Sequence, residues 1–450
     1  METKNRVRLL ILSLAAISFF AISLFWDKSP FLLLLVLLVL IIFIASFFYP
    51  RPAFIALLIL RTSVDFLTSA EIFRLGNWSV NFTSFVGVVV LVFGAIIFFR
   101  TRAWHKRPPL FNIWLAFLGL ALILIPFSLS PSASLTELLR WASFFTLFIL
   151  GFCLFQSGRQ VTQLIKALIF SSLIPALVAL IQKVNGQEFF DGERWRVNGT
   201  FVHPNMLAFY LVLAITLSLF VFLTLKREAV QKYFYLLLAL PLLGVLYLTY
   251  TRGAWIALFI VIFLIGLARF RWFLASALAI IILSYFAVIP FQDRVNSLAT
   301  FSASDSTSWR IDLWRDAWGY AQENLVFGTG PGTAPLVIAQ NRSYLLGSSE
   351  PHNDYIKVIL ETGLIGLGLY LTLIISLLWH LWQGFQQEKW PRRKLLFLFT
   401  LVFSISFYIS SIGDNILKDS SLQWSFWSLN GALMYSYLQI KKDKADMAVE

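Results

Sequence analysis

An all-α membrane protein crossing the bilayer 12 to 14 times is the fold class this sequence predicts, on three observations. Of its 450 residues, 59% are hydrophobic and only 13% are charged. Apolar runs long enough to cross a hydrocarbon core recur from one end of the chain to the other. Basic residues fall mostly in alternate short loops between those runs.

The spans are predicted near 9–26, 30–49, 53–69, 83–99, 109–129, 134–155, 162–182, 204–225, 233–250, 253–269, 272–290, 353–382, 395–412 and 422–440. The first follows a basic start and lacks a small-residue cleavage site, so it reads as a retained helix and not as a removed signal. Residues 1–450 are read as a single integral-membrane domain. Within it, 183–203 and 291–351 form loops on one side, and 353–440 carries the C-terminal spans.

A net charge of +13 is compatible with nucleic-acid binding, but the distribution argues against it. The clusters are Lys4, Arg6 and Arg8; Arg100, Arg102, Lys106 and Arg107; Lys226, Arg227 and Lys232; Lys389, Arg392, Arg393 and Lys394; and Lys441, Lys442 and Lys444. Such alternation marks the cytoplasmic face. An even number of spans then places both termini in the cytoplasm and the loops 183–203 and 291–351 outside. The one cysteine, Cys153, falls within a span, which excludes an intrachain disulfide or a cysteine metal cluster. The chain has no P-loop, serine-nucleophile elbow, H-E-x-x-H or Cys/His zinc spacing, and no metal or cofactor is assigned.

Polar residues gather where outward loops meet spans. In SSEPHNDYIKVILETGLIGLG, Ser349 is read as an N-cap and Pro351 as part of the first helical turn, which places His352 and Asn353 in that turn beside unengaged amides. Helical spacing then sets Gly363 and Gly366 on the face of His352. The loop 183–203 ends in ERWRVNGTFVHPN, concentrating Arg194, Arg196, Asn198, His203 and Asn205. Arg194 reads as an interfacial anchor for lipid headgroups, whereas the planar fork of Arg196 suits a pyrophosphate. Arg252, in TYTRGAW, occupies a tight outward turn with Gly253 and Trp255.

Two ion pairs are predicted inside spans, Arg61 with Asp65 at i, i+4 and Glu137 with Arg140 at i, i+3. Intramembrane charges point to function, and self-pairing accounts for them equally well structurally. In the 291–351 loop, Trp309, Leu313 and Trp318 recur at near-helical spacing with Trp314 alongside, as in a helix lying at an interface. The following FGTGPGTAP has Gly328, Gly330 and Gly332 around Pro331, a backbone forced into turns.

Three of these segments resemble the bacterial O-antigen ligase and O-antigen polymerase superfamily of integral-membrane glycosyltransferases. They are H-N-x9-G-x-x-G, met by His352, Asn353, Gly363 and Gly366; R-V-N-G-T-F-x-H-P-N, carrying Arg196, Gly199, His203, Pro204 and Asn205; and T-R-G-A-W, carrying Arg252, Gly253 and Trp255. The resemblance covers about 185 to 370 and implies a GT-C-like fold in the bacterial inner membrane, with the active site on the periplasmic or extracytoplasmic side. It implies transfer of a glycan from an undecaprenyl-pyrophosphate carrier to a hydroxyl acceptor, either lipid A-core (a ligase) or a growing glycan (a polymerase), without a nucleotide sugar.

In that reaction His352 is the expected base and Arg196 and Arg252 stabilise the leaving pyrophosphate. Asn353, His203, Asn205, Arg194, Arg61 and Arg140 are expected to bind substrate. Direct displacement would invert the anomeric centre, and a retained configuration in the product would exclude it. A lipid-glycan flippase, with Arg61 and Arg140 lining a pathway, and a noncatalytic envelope scaffold are the readings from other classes. Polar clusters at outward helix ends, and not at broken helices near the midplane, favour the transferase.

Overall fold

The computed structural model describes residues 30–75, 78–191, 194–225, 230–287, 306–341 and 349–447, together with Gln292 and Asn296. The predicted span 9–26, the basic residues Lys4, Arg6, Arg8, Lys226 and Arg227, and much of 288–305 lie outside the described residues. From 30 onward, helix occupies each predicted span. The helices are α1 (Pro30–Ser46), α2 (Pro50–Ser63), α3 (Phe82–Arg100), α4 (Phe111–Leu124), α5 (Pro131–Leu154), α6 (Gly158–Ser171), α7 (Leu173–Asn185), α8 (Pro204–Thr224), α9 (Gln231–Leu248), α10 (Arg252–Ala268), α11 (Arg271–Ala287), α12 (Ser306–Glu323), α13 (Ala334–Asn341), α14 (Asp354–Gln387), α15 (Pro391–Ser410) and α16 (Ser420–Met447).

Among the described residues, seven helical segments are long and apolar enough to cross a membrane, and three shorter apolar helices accompany them. The protein is an all-α polytopic membrane protein. Among the described residues its strands are two short antiparallel ribbons, Glu71–Leu75 with Trp78–Asn81 and Phe189–Phe190 with Trp195–Arg196. Many helix starts follow local chemistry. Asn81, Ser130 and Ser157 accept amide hydrogens of the first turns of α3, α5 and α6, and Pro occupies the first turn of α2, α5, α8 and α15.

Helix α16 is the core. Every residue from Ser420 to Met434 is buried, although the stretch contains Gln423, Ser425, Ser428 and Asn430. The donors of those polar side chains are used locally. Ser425, Ser428 and Asn430 donate to carbonyls one turn back, and Trp424 Nε1 donates to Ser143 Oγ of α5 at 2.9 Å. Gly151 and Gly431 let α5 and α16 touch backbone to backbone, since a Cβ at either would stand about 2 Å from a facing carbonyl oxygen.

The helix expected to begin before His352 begins after it. Asn353 is the N-cap, its Oδ1 accepting from the amides of Tyr355 and Ile356 at 3.0 and 3.1 Å, and α14 starts at Asp354. His352 lies outside the helix with φ +49°. Left-handed backbone at a non-glycine residue is strained, though histidine tolerates it better than most, and such strain persists where surrounding structure enforces it.

Nor do Gly363 and Gly366 continue one helical face from His352. At Gly363 the backbone turns to φ +65°, ψ −166° and breaks α14. A loop repairs the break: Thr329 and Gly330 donate to the carbonyls of Leu360 and Glu361 at 2.9 Å each, and Leu364 donates to Leu325 O at 2.8 Å. Gly328, Gly330 and Gly332 all have positive φ, as the FGTGPGTAP motif leads one to expect. Irregular backbone at this depth is tolerated because its polar groups are paired within the protein. Helix α12 packs on α14 through Leu313, which is fully buried, while Trp318 stays exposed.

Candidate functional site

A cavity of about 400 Å³ opens where the start of α8, the residues before α14 and the loop between α15 and α16 meet. His203, Asn205, Arg61, Arg140 and His352 all line it, from segments far apart in sequence. Four residues that sequence reasoning passed over join them: Asp414, Asn415, Lys418 and Asp419.

His352 is held on several sides. Its ring packs edge-on against Trp309 at 5.8 Å, its Nδ1 lies 3.3 Å from Asn415 Nδ2, and Asp414 Oδ1 is 3.9 Å away. The loop carrying Asp414 is itself pinned. Asp354 Oδ2 accepts from Leu417 N at 2.9 Å, Asp354 N donates to Ser411 O at 2.9 Å, and Arg310 donates to Gly413 O at 2.7 Å. Burial works to raise the Asp414 carboxyl, but the neighbouring His352 and Arg310 outweigh it and hold it down to about 2. Asp419 is shifted the other way, well above the carboxylate range, by burial and by the charge of Asp65.

His203 caps α8, its Nδ1 accepting from Asn205 N at 3.1 Å. A nitrogen that accepts an amide hydrogen carries no proton, so the neutral ring has its hydrogen on Nε2. Burial drives the ring down to about 4, with Arg196 adding to the effect. Below the ordinary imidazole range the unfolded chain takes up a proton that the folded protein refuses until about pH 4, so this group makes stability fall as pH drops between about 6.5 and 4. His203→Asn, which keeps a capping side chain, is expected to flatten that part of the melting temperature against pH curve relative to the unmutated protein. Equal slopes in both would refute the assignment.

Arg196 stands behind the cavity and does not line it. It is 8% exposed and makes four hydrogen bonds: Nε to Thr249 O at 2.7 Å, Nη1 to Asp191 Oδ2 at 2.9 Å, and Nη2 to Asn205 Oδ1 at 2.6 Å and Thr251 Oγ1 at 2.9 Å. Asn205 Nδ2 in turn donates to Asp414 Oδ2 at 2.6 Å. A continuous line of contacts therefore runs Arg196, Asn205, Asp414, His352.

The same bonds lock the RVNGT and TRGAW segments together, with Arg194 adding a contact 5.9 Å above the Tyr250 ring. Arg252 opens α10 one residue beyond Thr251, half-buried, and is not among the residues lining the cavity. Asn353 directs its amide oxygen to the backbone of α14 as a cap.

Both predicted intramembrane ion pairs form. Arg61 Nη1 meets Asp65 Oδ1 at 2.6 Å, and Asp65 also accepts from Ser421 Oγ at 2.9 Å. Arg140 pairs with Glu137, but Glu137 also accepts from Lys357 Nζ at 2.9 Å, and Lys357 bonds Glu361 at 2.6 Å. Sequence reasoning passed over Lys357 and Glu361, which their i, i+4 spacing within an apolar run could have signalled; nothing local points to the partner of Lys357, Glu137, 220 positions away. Asp414 and Asn415 had only a short G-D-N sequence between two spans to announce them.

Residues 236–371 match a family model described as O-antigen ligase. That segment is similar to the O-antigen ligase family. The matched segment contains Arg252, His352, Asn353, Gly363 and Gly366, while Arg196, His203 and Asn205 precede it. The teichuronic acid biosynthesis protein TuaE of Bacillus subtilis (strain 168) is 24% identical over 121 residues, or 27% of this chain. The aligned part spans 25% of that relative's length. Among solved structures, a chain from "Structural coordination of polymerization and crosslinking by a peptidoglycan synthase complex" aligns with 72% of this chain and 96% of its own, at 19% identity and a TM-score of 0.41.

Proposed function

We propose that the protein is a membrane glycosyltransferase of the O-antigen ligase and polymerase type. It moves a glycan from an undecaprenyl-pyrophosphate carrier to a hydroxyl acceptor at the face where His352 lies, which the basic loops predict to be extracytoplasmic. The observation that carries this reading is the cavity in which a histidine backed by a carboxylate faces several cations.

His352 takes the acceptor proton as the acceptor oxygen bonds the anomeric carbon and the glycosidic carbon–oxygen bond to the pyrophosphate breaks. The electron pair leaves with the pyrophosphate, so the anomeric configuration inverts. Asp414 and Asn415 set the ring for this. With the Asn415 amide turned so that its oxygen, otherwise buried without a donor, faces His352, Nδ1 becomes the donor to Asn415 and Asp414. Nε2 is then left bare as the base, and Asp414 stabilises the positive charge the ring takes on.

Arg140 and Lys418 line the cavity, with side chains 26% and 38% exposed, and are suited to the leaving pyrophosphate. Arg196 acts through Asn205 on Asp414, and Arg252 serves the carrier from the rim. Reconstitution with a defined undecaprenyl-pyrophosphate glycan and alternative acceptors tests the reading. A single transfer to lipid A-core means ligase, and a ladder means polymerase; the likeness to a teichuronic acid biosynthesis protein favours the ladder. No transfer to any hydroxyl acceptor would overturn both.

A further inference from the structure

Helix α8 begins at the candidate site and ends at a second one. At 1.5 Å per residue, Asn205 and Thr224 lie about 29 Å apart, close to the thickness of a bilayer's hydrocarbon core. At the far end, between α6, α8, α15 and α16, a slot of about 290 Å³ adjoins a wider recess of about 690 Å³, and the two share Gly158, Arg392 and Arg393 in their walls. This is the face that the basic loops predict to be cytoplasmic.

The slot has two unlike halves. Its floor is apolar, with Phe220, Phe397 and Leu433 each at most 2% exposed. Its mouth holds Arg159, Arg392 and Arg393. Arg393 pairs with Glu388 at 3.0 Å, whereas Arg159 and Arg392 are exposed and make no ion pair among the described residues. The first residues of α6 and α15, Gly158 and Pro391, also border the recess, so the positive ends of two helices face it. A solvated counter-ion would match the mouth but leave the floor unaccounted for. A neutral lipid tail would match the floor but not the mouth.

We propose that this is a binding site for an anionic glycerophospholipid, its phosphate held between Arg159, Arg392 and Arg393 and an acyl chain in the slot floored by Phe220, Phe397 and Leu433. Guanidinium forks suit phosphate oxygens, and basic clusters at a membrane surface recognise anionic headgroups. The recess, at about 690 Å³, lies within the usual range of ligand pockets. The site needs nothing from the His352 cavity and stands apart from the transfer reaction.

The test is lipid retention by the full chain, released from nanodiscs of equal phosphatidylglycerol and phosphatidylcholine into native mass spectrometry. Phosphatidylglycerol should be retained over phosphatidylcholine, and Arg159→Gln with Arg392→Gln should weaken that retention about thirtyfold. Lys442→Gln with Lys444→Gln removes the same charge from the same face outside the slot and should change it by no more than about twofold, because exposed charges are screened. Equal loss in the lysine variant would mean general surface attraction and overturn the proposal. So would unchanged retention in the arginine variant, equal retention of the two lipids, or displacement of phosphatidylglycerol by inorganic phosphate, which would show that the apolar floor contributes nothing.

Discussion

Replacing His352 with asparagine is expected to lower glycan transfer about 10²- to 10⁴-fold while leaving carrier binding within a few-fold of normal, the loss typical of removing a general base. Asparagine is the informative substitute because it accepts left-handed backbone, so the φ of +49° at this position is kept and a folding defect is avoided. Carrier affinity persists because Arg140 and Lys418 reach the cavity from other segments. Initial rates in proteoliposomes, with binding measured separately on the same preparation, check the result. A variant with undiminished turnover would remove His352 from the chemistry. Asp414→Asn should act more mildly and shift the pH profile of kcat, because it disturbs the ring's orientation and charge and leaves the base in place.

Replacing Lys357 with methionine should have the largest effect on stability, about 3–5 kcal/mol, seen as a collapse of the unfolding midpoint in detergent. Lys357 is 2% exposed and lies between Glu137 and Glu361, themselves at 3% and 0%. Without the ammonium, two buried carboxylates face each other with only Arg140 nearby. Adding Glu361→Gln to Lys357→Met should recover part of the loss by removing one of the stranded charges. If Lys357→Met melts like the unmutated protein, the triad is not a structural tie. Because Glu361 also accepts from Ala334 N and the carbonyl beside it anchors the glycine loop, the damage should spread to residues 328–334.

Much of this was readable beforehand because membrane spans and i, i+4 pairs are local. Apolar runs located the helices, and the Arg61–Asp65 and Glu137–Arg140 spacings gave pairs that the structure contains. The start of α14 was misplaced because Ser349 and Asn353 both cap well, and the choice falls to contacts from Ser411 and Leu417, far along the chain. The break at Gly363 is silent in hydropathy, since apolar residues continue on both sides; only the approach of Val326 and Phe327 makes it necessary.

The central place of α16 was hidden for the opposite reason. Its serines, Gln423 and Asn430 lower its apparent hydrophobicity, yet Ser425, Ser428 and Asn430 spend their donors on their own helix while Ser421 and Trp424 reach Asp65 and Ser143. For the site, the motif resemblance singled out His203, Asn205 and His352, but nothing local announces that Asp414 joins Asn205 to His352. That link is a property of the fold.

The cavity wall made by Asp414, Asn415 and Lys418 comes from the turn between the last two helices, α15 and α16. The walls made by Arg61 and Arg140 come from the first third of the chain. The carboxylate beside His352 is therefore supplied only once the chain has been inserted past α15, long after the walls made by Arg61 and Arg140.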